Sequence, residues 1–374
     1  MPSKRLEHCS SLRVGIAGAG LMGRLLAWQL HQLGHQVTLF DQASAHEEAS
    51  AAFLAAGMLA PYAELESADA SIYKLGMRSL DLWPQLVQGL GAEALLQSHG
   101  SLIVAHAQDQ PYLQRFCQQL AHHQIPQSQA QSQAQRLHKK QLLEHNTGLG
   151  EVFEQAIYLP AEAWLNSREL MHVLAQRLHA GGVKWQHQCP VTAVNAGHIQ
   201  HSTGQFACDW AIDCRGLGAQ AQLPELRGVR GEVIEVYAPE VDIQQMVRLM
   251  HPHYRLYLVP RPKHHYVLGA TQIETNDASP ISVRSALELL SALYSLHPGF
   301  AEARIVRTAS GCRPALPDNG PKLITQPGLL RINGLFRHGF LLAPAMAEQA
   351  INYLASHCAT ASTVYQENSY ATFT

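Results

Sequence analysis

The sequence is poor in charge. Its 374 residues hold 27 lysines and arginines against 29 aspartates and glutamates, 15% of the chain, for a net charge of −2. That balance argues against a dedicated nucleic-acid binder, which carries a basic face. With 47% hydrophobic residues the chain is not a disordered one either. No uninterrupted apolar run reaches the ~18 residues of a membrane span, and Met1-Pro2-Ser3-Lys4-Arg5 leads into polar residues without the apolar centre of a secretion signal. Seven cysteines (Cys9, Cys117, Cys189, Cys208, Cys214, Cys312, Cys358) include no CxxC pair. Reduced thiols in a cytoplasmic protein are therefore expected, not a disulfide framework or a zinc site. The 22 histidines are scattered with no HExxH spacing, and no metal is expected. Length alone suggests two domains at about 150 residues each.

What is present concentrates near the start. Leu12–Ala17 reads as a short buried strand that runs into Gly18-Ala19-Gly20-Leu21-Met22-Gly23, a GxGxxG. Leu21, Leu25 and Trp28, with Leu26, Leu30 and Leu33, then recur at helical spacing until Gly34, a natural stop. A second strand, Gln36–Phe40, ends at Asp41 and Gln42, and Asp41 stands roughly 20 positions beyond the first glycine. Gly18 permits the tight turn, Gly20 lets a pyrophosphate approach the backbone, and Gly23 lets the helix pack on the strand. The helix start offers N–H groups to phosphate, and Asp41 can accept from a ribose. An arginine there would suit a 2′-phosphate, so NADP is disfavoured. A dinucleotide site follows; the motif leaves NAD and FAD both open.

Ala49–Pro61 is a run of small residues ending in Ala56-Gly57-Met58-Leu59-Ala60-Pro61. By composition alone it is a buried helix with a proline stop. Its alanine and glycine density suggests instead a backbone lying close against something flat or bulky. The strand, Gly18–Gly23, the helix, Asp41 and this run together resemble the D-amino-acid-oxidase-type FAD oxidoreductases, and within them the glycine oxidases of thiamine biosynthesis. The family often has a Ser or Thr near the flavin pyrophosphate about five residues before Gly57; here that position is Ala52, with Ser50 nearby.

The resemblance implies an α/β fold: a Rossmann-like FAD-binding domain with an interleaved, mostly antiparallel β-sheet substrate domain. Residues 10–83, 149–224 and 307–374 would form the first, and 84–148 and 225–306 the second, roofing the flavin. Read from pattern, Leu80, Leu82, Trp83 and Leu86 make an apolar stripe, and Gly100–Ala105 is a strand. Gln127–Gln135 is a low-complexity linker or frayed helix. Asn166 or Ser167 caps a helix through Leu178. Pro190–Val194 is a strand, with Val191 the usual backbone contact to adenine in the resembled family. Trp210–Ala219 is a strand meeting a second glycine turn, where Gly216 permits close approach to the cofactor; Asp213 and Cys214 read as structural. Residues 232–237, 255–259 and 266–270 alternate as antiparallel strands, and Val283–Leu296 follows as a helix.

In the C-terminal strand, glycine loop and helix, Leu335, Phe336, Arg337, His338, Gly339, Phe340 and Leu341 match the family's flavin-binding stretch. The helix is expected to start at Pro344. Arg313 lies in Gly311-Cys312-Arg313-Pro314, resembling the family's Gly-x-Arg-Pro segment, whose arginine grips the substrate carboxylate. Tyr257, with Tyr254 as its rival, matches a tyrosine that meets the same carboxylate, and Arg337 a position near substrate and flavin. The local Cys-Met-Tyr-Thr pattern of covalent relatives is missing, so the FAD is expected to be non-covalent. The implied reaction is oxidation of glycine or a similar small amino acid to the imino acid, with O2 reduced to hydrogen peroxide. Rival readings are a D-amino-acid dehydrogenase passing electrons to a quinone and an idle flavoprotein partner. An NAD-dependent dehydrogenase is disfavoured. The implied partners are a small amino-acid substrate and O2, with neither nucleic acid nor membrane; a homo-oligomer is compatible with all of this.

Overall fold

Arg13–Ala17 and Gln36–Phe40 bury every position but their first, the signature of parallel strands covered on both faces. In the computed structural model, which describes residues 11–369 apart from 46, 67–68, 123–133 and 252–255, these two strands pair in parallel, Ile16 beside Leu39. Trp210–Asp213 joins on the other side, Ile16 beside Ile212, and Leu329–Asn333 extends it in parallel. Lys322–Gln326 closes one edge antiparallel, and Lys184–Gln186 the other in parallel. In this six-stranded order Arg13–Ala17 has Gln36–Phe40 to one side and Trp210–Asp213 to the other. A crevice for a dinucleotide opens at such a point, beyond the C-terminal strand ends. The helix Leu21–Gln32 buries Leu25, Leu26 and Leu30 completely and stops where Gly34 takes a φ of +87°.

By packing, the chain falls into two compact units. The first joins residues up to 53, 171–227 and from 314 onward; the second joins 54–170 and 228–313. Segments 54–83, 149–170 and 307–313, grouped by sequence with the nucleotide-binding part, thus lie within the second unit, and 225–227, grouped with the substrate part, within the first.

The second unit is built on an eight-stranded sheet: Arg304–Ala315, Arg227–Tyr237, His265–Gly269, Leu256–Arg261, Met246–Leu249, Ser101–Val104, Gln155–Leu159 and Gln135–His138 in spatial order. From Arg227–Tyr237 onward the neighbours are antiparallel except for Met246–Leu249 beside Ser101–Val104. Both faces carry a core. Ile234, Leu256, Leu258 and Leu268 pack with Leu289, Leu293 and Leu296 of the helix Val283–Leu296. Val233, Val259 and Val267 pack on the other side with Ala56, Tyr62, Leu113 and Phe116.

The structure corrects one expectation and bears on two others. The helix after the C-terminal glycine loop starts at Gly339 and runs to Ser369, with Pro344 inside it. Proline disfavours helix at the residue before it, but Phe340, Leu341, Leu342 and Ala343 are all buried, and that burial carries the helix through the lost hydrogen bond. Ala49–Pro61 holds only the short turn Ala51–Phe53 and the strand Met58–Leu59, and Pro61 opens the helix Pro61–Glu64 instead of closing one. Gly57 is the reason. Its φ is +73°, and a Cβ there would sit 2.1 Å from the Leu165 carbonyl oxygen. Finally, of Gln127–Gln135 all but Ala134 and Gln135 lie outside the described residues, and Gln135 begins a strand.

One buried acid makes this unit sensitive to pH. The Glu162 carboxyl is fully buried, accepts from the Ala63 N–H at 2.8 Å and from the Ser101 hydroxyl, and burial pushes its pKa up to about 7. A carboxyl raised in the folded state contributes stability that is complete below its unfolded value near 4.5 and is lost as pH rises through about 7. Glu162→Gln keeps shape and acceptor. Its Tm relative to the parent should therefore climb between pH 5 and 8, by an amount equivalent to at most roughly 3 kcal/mol; a pH-independent difference would contradict the assignment.

Candidate functional site

In the first unit the C-terminal strand ends gather most of the residues singled out in the sequence. Gly18 has a φ of +97°, and a Cβ on it would lie 2.6 Å from the Cys214 carbonyl oxygen. One on Gly23 would lie 1.8 Å from the Gly18 carbonyl oxygen, so helix and turn touch backbone to backbone. Over Gly20 there is room: a Cβ would meet only the Ser50 Cβ, at 3.9 Å. Gly20 is also the N-cap of Leu21–Gln32, with no side-chain cap and no acid in the first turn. The helix therefore begins with uncapped N–H groups and the positive end of its dipole facing open space. Leu21 and Met22 are buried.

Asp41 leaves its strand to take the Ala19 N–H at 2.5 Å with Oδ2 and the Ala43 N–H at 2.8 Å with Oδ1; Gln42 beside it is exposed. Gly216, at φ +54°, follows Trp210–Asp213. Asn333 ties the two remaining glycine turns together: its Nδ2 donates to the Gly216 carbonyl at 3.0 Å, and its Oδ1 accepts from the Gly334 N–H at 2.8 Å. Leu335, Phe336 and His338 are buried in a short turn, Arg337 is half-buried, and Gly339, Phe340 and Leu341 open the long helix. Val191 starts a separate three-stranded antiparallel sheet. It is fastened by Arg215, which donates to the Val191 carbonyl at 3.0 Å and to Asp213 at 2.8 Å.

Sequence reading passed over Arg24, which stands next to Gly23. It is 2% exposed, donates to the Ala19 carbonyl at 2.8 Å and the Met171 carbonyl at 2.7 Å, and lies 4.9 Å from the Trp185 ring centre. Burial pulls its pKa down to about 10, with Asp41 pulling the other way. It stays charged near the glycine turn.

The second unit holds Ala56, Gly57 and Met58 together with Tyr257 and Arg313. Tyr257 pairs with Gly269, which pairs in turn with Val233; Gly231, two residues on, shares that face. A Cβ on Gly269 would lie 2.8 Å from the Tyr257 hydroxyl, and one on Gly231 2.2 Å from the Arg313 guanidinium. Two glycines thus make the floor on which the tyrosine and the arginine lie, on one face of one sheet. Arg313 Nη1 donates to the carbonyls of Thr271 at 3.2 Å and Arg230 at 3.3 Å. Tyr254 lies outside the described residues. Cys312 is half-buried and its thiol pKa is raised by burial. Among the described residues no group of three or more His, Cys, Asp or Glu could hold a metal ion, and no helix is long and apolar enough to cross a membrane.

Residues 13–352 match the family of FAD dependent oxidoreductases abbreviated DAO. The chain belongs to this family. Over 347 residues this oxidoreductase is 37% identical to a putative thiamine biosynthesis oxidoreductase ThiO of Rhizobium etli, covering 92% of this chain and 96% of that one. It is 27% identical to a glycine oxidase of Geobacillus kaustophilus over 88% of this chain and 89% of the other. The crystal structure of glycine oxidase from Geobacillus kaustophilus superposes with a TM-score of 0.80 at 24% identity, over 93% of this chain and 95% of that chain, a likeness of fold.

The first unit of this FAD-dependent oxidoreductase fits the adenosine-diphosphate part of its cofactor. Ser50, whose Cβ faces Gly20, carries a buried hydroxyl that has no hydrogen-bond partner among the described residues. A buried hydroxyl without a partner costs about 1–3 kcal/mol, and a phosphate oxygen over Gly20 would relieve that. Ser50→Ala should therefore loosen FAD by roughly fivefold, about 1 kcal/mol, read as extra free-flavin fluorescence when the holoenzyme is diluted. Unchanged retention would remove Ser50 from the site.

Proposed function

We propose that the protein oxidises glycine, or an amino acid of similar size, to the imino acid, with O2 as the final acceptor and hydrogen peroxide as the product. The names of the relatives, a thiamine biosynthesis oxidoreductase and a glycine oxidase, support placing the reaction in the supply of the thiamine thiazole. The single observation that carries the reading is the pair Arg313 and Tyr257 on their glycine floor. Gly269 and Gly231 are diagonal neighbours across adjacent strands, about 7–8 Å apart. The tyrosine hydroxyl and the guanidinium therefore lie over neighbouring positions of one sheet face, where one carboxylate can accept from both.

In this reading Arg313 and Tyr257 take the substrate carboxylate, and Arg337 contributes from the Leu335–Leu341 stretch. Bound FAD supplies a two-electron acceptor for the hydride of the Cα–H bond. The cofactor contacts proposed are Gly18–Gly23, Asp41, Gln42, Ala56, Gly57, Met58, Val191, Gly216 and Leu335–Leu341, held without a covalent bond. Once the carboxylate is fixed and the amine is neutral, no protein base at Cα is required, and orientation provides the acceleration. Tyr257 itself is half-buried and belongs to the same core as Val259 and Val267.

Purified holoenzyme should lose its visible flavin band when glycine is added without air and consume O2 with peroxide release when air is admitted. A flavin that stays oxidised with glycine, sarcosine and small D-amino acids alike would end the proposal; reduction without O2 uptake would point to a quinone acceptor. Arg313→Ala should raise KM for glycine by roughly 30- to 150-fold, the equivalent of about 2–3 kcal/mol, while FAD stays bound. Tyr257→Phe should raise KM about fivefold, roughly 1 kcal/mol.

A further inference from the structure

Three consecutive carbonyls in the small-residue run are each taken by a different donor. The Ala55 carbonyl accepts from the Ser167 hydroxyl, the Ala56 carbonyl from Arg261 Nη2 at 2.7 Å, and the Gly57 carbonyl from the Leu165 N–H at 2.8 Å. Leu165 and Ser167 are close neighbours of one another in the chain, so they hold the run to one place, the end of the strand Ala163–Leu165 and the start of the helix Ser167–Ala180. Arg261 is different: it reaches the run from the sheet.

Arg261 ends the strand Leu256–Arg261, and Tyr257, Val259 and Arg261 point to the same side of it. That side is the core containing Ala56, Met58 and Trp164. The guanidinium is fixed at three points. Nη2 holds Ala56, Nη1 donates to the Pro260 carbonyl at 3.1 Å, and the plane lies 5.1 Å from the centre of the Trp164 ring, whose residue pairs with Met58. Burial lowers the pKa of Arg261 to about 10, with Glu235 and Tyr257 opposing, so the group remains a cation at neutral pH. Its two hydrogen bonds go to neutral carbonyls. An apolar side chain of the same volume would fill this space at a smaller desolvation cost; what the guanidinium adds is position.

We propose that Arg261 is a positioning residue that ties the Ala56-Gly57-Met58 run to the strand carrying Tyr257. The segment proposed to lie against the flavin and the hydroxyl proposed to hold the substrate thereby keep one spacing. This rests on the function proposed above. No chemistry passes through Arg261 itself. Its effect is on orientation, so it should appear in the rate of hydride transfer more than in substrate affinity, the reverse of Arg313→Ala.

The test uses holoenzyme carrying Arg261→Met or Arg261→Lys. Arg261→Met keeps the stem and loses both hydrogen bonds. Its limiting rate of flavin reduction by glycine should fall at least about tenfold, because misplacements near 1 Å cost up to a hundredfold. KM should move less than about threefold, and the flavin absorption band should shift. Should Arg261→Met fail to fold or to hold FAD, Arg261→Lys decides. A single ammonium cannot serve both carbonyls in the geometry of the planar fork, so this variant should show a smaller loss in the same direction at parental Tm. Parental spectrum and limiting rate in the folded variants would overturn the proposal, since a purely structural arginine would lower Tm and leave both untouched. If the parent enzyme itself is not reduced by any small amino acid, the substrate reading fails separately. The flavin spectrum and FAD release on dilution of the variants then still decide whether Arg261 positions the run.

Discussion

A helix can follow a strand after a turn of three residues only if two stretches of backbone are allowed to touch. Here the contact is between Gly23 and the carbonyl of Gly18, where any side chain would collide at 1.8 Å. The same turn presses Gly18 against the Cys214 carbonyl of the neighbouring strand. Every feature of the first unit's crevice depends on that closeness. It brings the uncapped start of Leu21–Gln32 to the strand ends, puts the Ala19 N–H within reach of Asp41, and leaves the space above Gly20 facing Ser50. A methyl group at either glycine would push the helix away from the sheet and take the positive end of its dipole with it.

Elements of both units were legible where their determinants are local. The strand Gln36–Phe40 and the helix Val283–Leu296 have the bounds their composition suggests. Alternation, a serine cap and a terminal glycine all act within a few residues. Local signals misled where distant burial outweighed them. Pro344 looks like a helix start, yet four buried apolar residues before it extend the helix back to Gly339. Ala49–Pro61 has the composition of a helix, yet Gly57, whose carbonyl accepts from the Leu165 N–H, takes a positive φ that no helix contains.

The second unit shows the complementary limit. Sequence resemblance singled out Arg313 and Tyr257 separately, but nothing in their spacing says that they share a face. That follows from register: Tyr257 opposite Gly269, Gly269 opposite Val233, and Gly231 one step along. A shift of one residue in any of these pairings would turn one side chain to the opposite core. The glycines are as informative as the polar residues, because a sheet glycine weakens its strand and persists where something larger must lie flat against the backbone.

A common logic links the two units. Segments built of glycine and alanine have little side chain with which to hold their shape, so their carbonyls need donors from elsewhere. In both units an arginine is the donor, buried in the first and half-buried in the second. Arg24 takes the Ala19 carbonyl and lies by Trp185; Arg261 takes the Ala56 carbonyl and lies by Trp164. Arginine suits this task for reasons a lysine does not share. Its stem spans the distance, its planar fork serves two carbonyls at once, and its weakly hydrated face tolerates an indole ring in place of water. Burial lowers both pKa values only to about 10, so neither group gives up its charge at neutral pH. Each therefore leaves a positive charge beside the glycine-containing backbone whose carbonyl it holds.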